Sequence, residues 1–186
     1  MKYICVYGAS GNDIPPQCLS EARKLGELLA QNGMGVVNGA GKNGVMRATS
    51  DGALAFGGEA VGVIPQFMVD NQWHYERMTR LVVTADMHER KRTMASLSAA
   101  AVAMPGGIGT MEEFLEIITW RQLGLYKHPV VLMNINGYYD HLIAMLGTAQ
   151  QQGFMRPHDG ELWHVSTTAQ DAIDYLLDSD SDPDPD

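Results

Sequence analysis

Two short segments hold the side chains with the most chemistry in them. The first, Met104–Phe114, reads MPGGIGTMEEF. Gly106, Gly107 and Gly109 allow a backbone to approach a ligand closely. Thr110 can cap a helix or bond an anion. A helix opening behind such a turn directs free N–H groups and its positive dipole end outward. Gly106, Gly107, Ile108, Gly109 and Thr110 thus read as a phosphate cradle, although a plain strand-to-helix turn has the same composition. Glu112 and Glu113 follow at once. Carboxylates in a first helical turn also favour the dipole, so capping is their plainer explanation. A carboxylate beside a phosphate repels it. If one acts chemically, its target is an electron-poor part of the same ligand, such as a sugar carbon on its way to an oxocarbenium ion.

The second segment, Asp86–Met94, reads DMHERKRTM. Arg90, Lys91 and Arg92 fall in the first turns of an expected helix, the unfavourable end for cations. That placement makes anion binding more credible than a solvated face, and Arg90 can grip an oxyanion in bidentate fashion. The six histidines are scattered, without HxH or HExxH spacing, so no metal site is expected.

These segments need a frame. Short apolar runs alternate with amphipathic ones. Strands are expected at Tyr3–Tyr7, Gly35–Asn38, Ala60–Ile64, Leu81–Thr84, Ala100–Met104 and Val130–Asn134. Helices are expected at Gln17–Gln31, Val45–Ala55, Glu89–Ser98, Thr110–Leu123, Tyr138–Gln152 and Ala169–Leu177. Runs such as AVGVI are apolar on both faces, as in a buried parallel sheet. The alternation indicates an α/β doubly wound, mainly parallel sheet flanked by helices, in one domain over residues 1–177. Ligands bind such sheets at the carboxyl ends of the strands. Glycine loops gather on that rim, through Gly8 after the first strand, Gly41 after the second and Gly106 after the fifth. None is a P-loop or a dinucleotide fingerprint: GAGKNGVM lacks the Gly-Lys-Ser/Thr ending and GASGND is not GxGxxG. On the helix expected from Thr110, at about 100° per residue, Phe114, Leu115, Ile117 and Ile118 form the apolar side. Glu112, Glu116 and Thr119 lie opposite, with Glu113 at the margin.

The chain has 186 residues and a net charge of −9, of which five negative charges sit in the last nine residues, DSDSDPDPD. That tail, 178–186, has nothing to bury and is expected to be disordered. The acidic body argues against nucleic-acid binding. No run reaches membrane-span length, and the first apolar stretch is too short for a signal peptide. Cys5 and Cys18 read as small core residues, and cytoplasmic residence is the default.

The two segments together resemble the LONELY GUY family of cytokinin-activating enzymes, often labelled lysine decarboxylase-like. The signatures PGGxGTxxE and MHxRK read here as Pro105–Glu113 and Met87–Lys91. The resemblance runs from about Lys2 to Arg156 and takes in GGEAVGVIP, EIITWRQLG and NINGYYDHLI. It implies a Rossmann-like fold, a homodimer, and hydrolysis of the N-glycosidic bond of nucleoside 5′-monophosphates without metal or cofactor. Carried over by motif, Arg90 and Glu113 match the catalytic pair. Lys91, Gly106 to Glu113 and Thr119 match nucleotide-binding positions. Met87, Met94 and Trp120 read either as core packing or as the lining of a base pocket. Decarboxylation has no support, since neither Lys91 nor Lys42 reads as a pyridoxal-phosphate lysine. Two departures touch substrate preference. The family's GGGxxGLMG loop is GAGKNGVMR here, with Ala40 and Arg47 in place of glycines, and Gln72 stands where a glutamate is frequent. Two other readings fit the same loops: a general purine-monophosphate nucleosidase, and a non-catalytic nucleotide or molybdenum-cofactor carrier.

Overall fold

The computed structural model describes residues 1–181, and the end of the acidic tail, 182–186, lies outside the described residues. Seven strands form one sheet: β1 (Lys2–Tyr7), β2 (Met34–Asn38), β3 (Ala60–Pro65), β4 (Arg80–Thr84), β5 (Ala100–Ala103), β6 (Val130–Met133) and β7 (His164–Ser166). Their order is β4-β3-β2-β1-β5-β6-β7, and every pairing is parallel. The chain starts in the middle, winds out to one edge through β4, then returns beside β1 and winds to the other. That reversal between β1 and β5 is a switch point, where loops on the two sides diverge and leave a crevice.

Among the described residues six α-helices connect the strands, α1 (Pro16–Gln31), α2 (Gly44–Ala55), α3 (Gln66–Asp70), α4 (Met87–Ser96), α5 (Ile108–Gln122) and α6 (Asp140–Gln151), and a seventh, α7 (Ala169–Ser181), follows β7. Side chains alternate across each strand. Ile4, Val6, Val36, Val102 and Val131 pack beneath α1, α2 and α7. Cys5, Tyr7, Val37, Val63, Ala101 and Leu132 face α4, α5 and α6 on the other side. Burial on both faces explains the apolar runs that β3, β5 and β6 show. Cys5 and Cys18 are free and buried, one in each layer. No helix among the described residues is long and apolar enough to cross a membrane.

Six strands and six helices fall where hydropathy places them, within about two residues at most ends. The seventh strand, β7, and the single-turn α3 are additional. The last helix runs to Ser181, beyond the expected end at Leu177 and into the segment expected to be disordered. Two shifted starts matter for the site. α4 begins at Met87 rather than Glu89, and α5 at Ile108 rather than Thr110.

Candidate active site

The shifted starts change what the charged residues can do. With α5 opening at Ile108 behind the N-cap Gly107, Glu112 and Glu113 sit in its second turn, and the first turn holds no acidic residue. Capping therefore accounts for neither carboxylate. No side chain caps α5 either, so its first N–H groups face the rim without a side-chain acceptor. In α4 the N-cap is Asp86, whose Oδ1 accepts from the Glu89 N–H at 2.8 Å, while the Glu89 carboxylate accepts from the Ala85 N–H at 2.6 Å. Arg90 is the fourth residue of this capped helix, and the dipole penalty expected for a first-turn cation is correspondingly reduced.

Arg90 and Lys91 are both buried, and they turn different ways. The Arg90 guanidinium donates from Nε to the Val63 carbonyl at 3.1 Å and from Nη1 to Glu113 Oε1 at 3.2 Å. Both partners of that ion pair keep only about a tenth of their side-chain surface exposed (8% and 11%). Burial raises the Glu113 carboxyl above its ordinary value of 4.5; the Glu112 charge adds to this, and Arg90 and Lys91 oppose it. Lys91 Nζ instead binds Glu112 and, at 3.1 Å, Glu116, clamping α4 to α5.

The loops that carry the site are stitched together. Ala9 N–H donates to the Pro105 carbonyl at 3.3 Å and Val45 N–H to the Ala9 carbonyl at 2.8 Å, joining the loops after β1, β2 and β5. Tyr138 Oη donates to the Gly106 carbonyl at 2.7 Å, and Tyr139 Oη to the Met104 carbonyl at 2.8 Å. These two hydrogen bonds fix the glycine turn from behind. At Gly106 a Cβ would lie 2.1 Å from Thr110 Oγ1 and 3.0 Å from the Ala9 nitrogen, so this turn closes only with glycine. Ala40 adopts φ 59°, the left-handed region that favours glycine. Asn38 Oδ1 accepts its N–H at 2.9 Å, and the strain stays in place because the residue is wholly buried.

Together these loops enclose a cleft of about 690 Å³ at the carboxyl ends of the central strands. Of the residues singled out in the sequence, Gly8, Gly41, Arg90, Gly107, Gly109, Thr110 and Glu113 line it. Gln72, Met87, Lys91, Gly106, Ile108, Glu112 and Thr119 lie outside its wall. Gly106 and Lys91 have the supporting roles given above, Ile108 is 85% exposed, and the Thr119 hydroxyl donates to the Leu115 carbonyl at 2.7 Å. Met94 is buried in the core and Trp120 packs against it, so neither reaches the cleft. The apolar part of the wall comes instead from Ile14, Met46, Ile64, Met68 and Trp73. Lys42 and Asn43 add polar groups at the opening of α2. Among the described residues there is no group of three or more histidines, cysteines or carboxylates arranged to hold a metal ion.

A buried arginine–glutamate pair beside an uncapped helix start can bind an anion at one point and steady positive charge at another. Comparison with known proteins is consistent with that chemistry. The family model described as "Possible lysine decarboxylase" matches residues 46–176. The chain is 35% identical over 176 residues to the Arabidopsis thaliana cytokinin riboside 5′-monophosphate phosphoribohydrolase LOG5, covering 94% of this chain and 77% of that one. It is 35% identical over 172 residues to the Oryza sativa enzyme LOG, covering 92% and 71%. Among solved structures, the molybdenum cofactor carrier protein of Chlamydomonas reinhardtii superposes with a TM-score of 0.74 at 24% identity, over 97% of this chain and 98% of that one. The molybdenum cofactor binding protein of Rippkaea orientalis also superposes at 0.74, with 21% identity over 95% and 96%. At those identities the likeness is one of fold. The sequence relatives are closer, and through them and the family model this chain belongs to the LONELY GUY family.

Proposed function

We propose that the chain hydrolyses the N-glycosidic bond of nucleoside 5′-monophosphates, cytokinin ribosides among them, to give the free base and ribose 5-phosphate. The observation that carries this reading is the Arg90–Glu113 pair, held nearly dry in the wall of a cleft about one turn along α5 from that helix's uncapped start. The phosphate rests on the first N–H groups of α5, beside Gly107, Gly109 and Thr110. Lys42, which lines the cleft, supplies the cation there; Lys91 is engaged by Glu112 and Glu116. As the bond from C1′ to the base nitrogen stretches, positive charge grows on the ribose. The fixed Glu113 carboxylate stabilises it without reorganising. Water then bonds to C1′, one of its protons goes to solvent, and the departing base takes up one proton. Arg90 aligns the carboxylate, and its two hydrogen bonds leave Glu113 one preferred orientation. The named activity of the sequence relatives supports this over a carrier role, for which a buried ion pair in the cleft wall has no use.

The test is turnover with and without the phosphate. AMP and isopentenyladenosine monophosphate should release free base far faster than adenosine, by about 100-fold or more in kcat/KM, since binding energy from the remote phosphate is spent on the reacting centre. Equal turnover of AMP and adenosine would rule out the phosphate cradle.

We also propose a homodimer acting in the cytoplasm. Ile108, Leu115, Leu123 and Leu125 leave an apolar stripe exposed along α5 and just beyond it, and exposed stripes of this kind mark association surfaces. The two free, buried thiols suit a reducing compartment. Light scattering should give a particle of twice 20.3 kDa at micromolar concentration, and a stable particle of one chain would exclude the dimer.

A further inference from the structure

The sheet order gives the cleft a direction. On one side lie the loops after β1 and β5, with Gly8 and the start of α5. On the other lie the end of β3 and the segment after it, with Ile64, Met68 and Trp73. Arg90 spans the two, bonded to Val63 of β3 and to Glu113 of α5. A ligand with its phosphate at α5 and its reacting carbon beside Glu113 therefore points its remaining ring toward the β3 side. Trp73 stands there. It is 49% exposed, and Phe67, 48% exposed, packs edge-on against it at 6.5 Å. Two large aromatic rings half in water on one short segment are a surface made to be covered.

That segment is tied to the loop after β2 at three successive points. Lys42 Nζ donates to the Gln72 carbonyl at 3.0 Å. Gly41 and His74 form an antiparallel bridge, and Tyr75 N–H donates to the Ala40 carbonyl at 2.8 Å. Gln72 itself is in the left-handed region, φ 56°, an uncommon state for a residue other than glycine. Its conformation is thus held from the same loop that brings Lys42 into the cleft. An ammonium group has three donors, so Lys42 can keep the Gln72 carbonyl while also meeting a phosphate oxygen.

We propose that Trp73 is the specificity-determining residue for the base, offering the face on which its flat ring stacks, and that Lys42 is a positioning residue linking this face to phosphate occupancy. The proposal rests on the nucleotide-hydrolase reading above. Intrinsic fluorescence of the full chain reads binding apart from turnover, and Trp73→Phe identifies the part of the signal that comes from Trp73 rather than Trp120 or Trp163. AMP should quench the Trp73 component. Trp73→Ala should raise KM for AMP about tenfold or more with a smaller change in kcat, as expected for loss of an aromatic on which a base stacks. Trp73→Phe should recover most of that loss, which a merely structural role does not predict. Inorganic phosphate alone should perturb the Trp73 signal in the wild type but not in Lys42→Met. An unchanged KM in a stably folded Trp73→Ala variant would overturn the base subsite, and a phosphate response that survives Lys42→Met would overturn the link. A wild type that never cleaves AMP, yet shows the Trp73-dependent quench, would overturn hydrolysis while supporting the subsite.

Discussion

Glu113→Gln should lower turnover of AMP by on the order of 100-fold or more while leaving AMP binding close to wild type. Glutamine keeps an oxygen that can accept from Arg90 Nη1, so the geometry of the cleft survives and only the negative charge is lost. A charge that matters chiefly in the transition state affects kcat more than affinity. Glu112→Gln is the control. Glu112 is adjacent in sequence, but its side chain is about half exposed and contacts Lys91 outside the cleft, and its change should cost far less. The pH profile adds a second readout. Burial raises the Glu113 carboxyl, Arg90 notwithstanding, so the active carboxylate is lost by protonation at a higher pH than for an exposed glutamate. The acid limb of kcat/KM should therefore lie above 4.5, with activity rising as pH increases through it, and Glu113→Gln should abolish that limb. Full activity in Glu113→Gln, measured as free base released, would assign the chemistry elsewhere.

A single methyl group placed outside the ion pair should be almost as damaging. At Gly39 a Cβ would lie 1.7 Å from Arg90 Nη2 and 3.2 Å from Met46 Sδ. The guanidinium has no easy retreat, because Nε is spent on Val63 and Nη1 on Glu113. Gly39→Ala should push Arg90 off both partners and leave Glu113 misaligned. Misplacement of this order costs about 100-fold in rate where near-attack geometry carries the reaction. Gly39 has an ordinary backbone conformation, so the stability cost of the change is that of the displaced buried ion pair and not of backbone strain. The expected pattern is a loss of about 100-fold in kcat/KM, read at a temperature where the variant is folded, together with a lowered thermal midpoint. Wild-type kcat/KM in this variant would mean that Arg90 is free to move without consequence.

Much of the frame is legible in the amino-acid sequence. The strands that carry the rim are buried on both faces, and continuous apolar runs announce such strands plainly. β7 is three residues long, His164–Ser166, with one aliphatic side chain, and nothing in its hydropathy separates it from a loop. The starts of α4 and α5 differ from expectation for a related reason. Hydropathic periodicity locates a helix by its apolar side, whereas Met87 and Ile108 are both exposed first-turn residues that contribute nothing to it. That small displacement alters the meaning of the carboxylates, since in the second turn they no longer act as caps. Arg90 and Lys91 are neighbours in the chain and about 100° apart on the helix. Which one faces the cleft depends on the direction in which α4 packs, and the motif alone does not encode that. Trp73 belongs to a stretch with neither helical nor strand periodicity, and its place in the wall follows from hydrogen bonds to a loop some thirty residues earlier.

The left-handed alanine at position 40 also bears on how this chain can change over time. Its methyl group occupies the space that a side chain at Gly62 would need, and a Cβ built there falls 2.7 Å from Ala40 Cβ. Leu81 Cδ1 and Met78 Cγ also approach, at 3.0 and 3.3 Å, but both belong to side chains that can yield. The two positions therefore share room for one methyl group and are epistatic. Glycine at 40 relieves backbone strain and opens a path to alanine at 62, a change that is blocked while alanine remains at 40. A variant with glycine at 40 therefore has room at Gly62 of β3, next to the cleft, that this chain lacks.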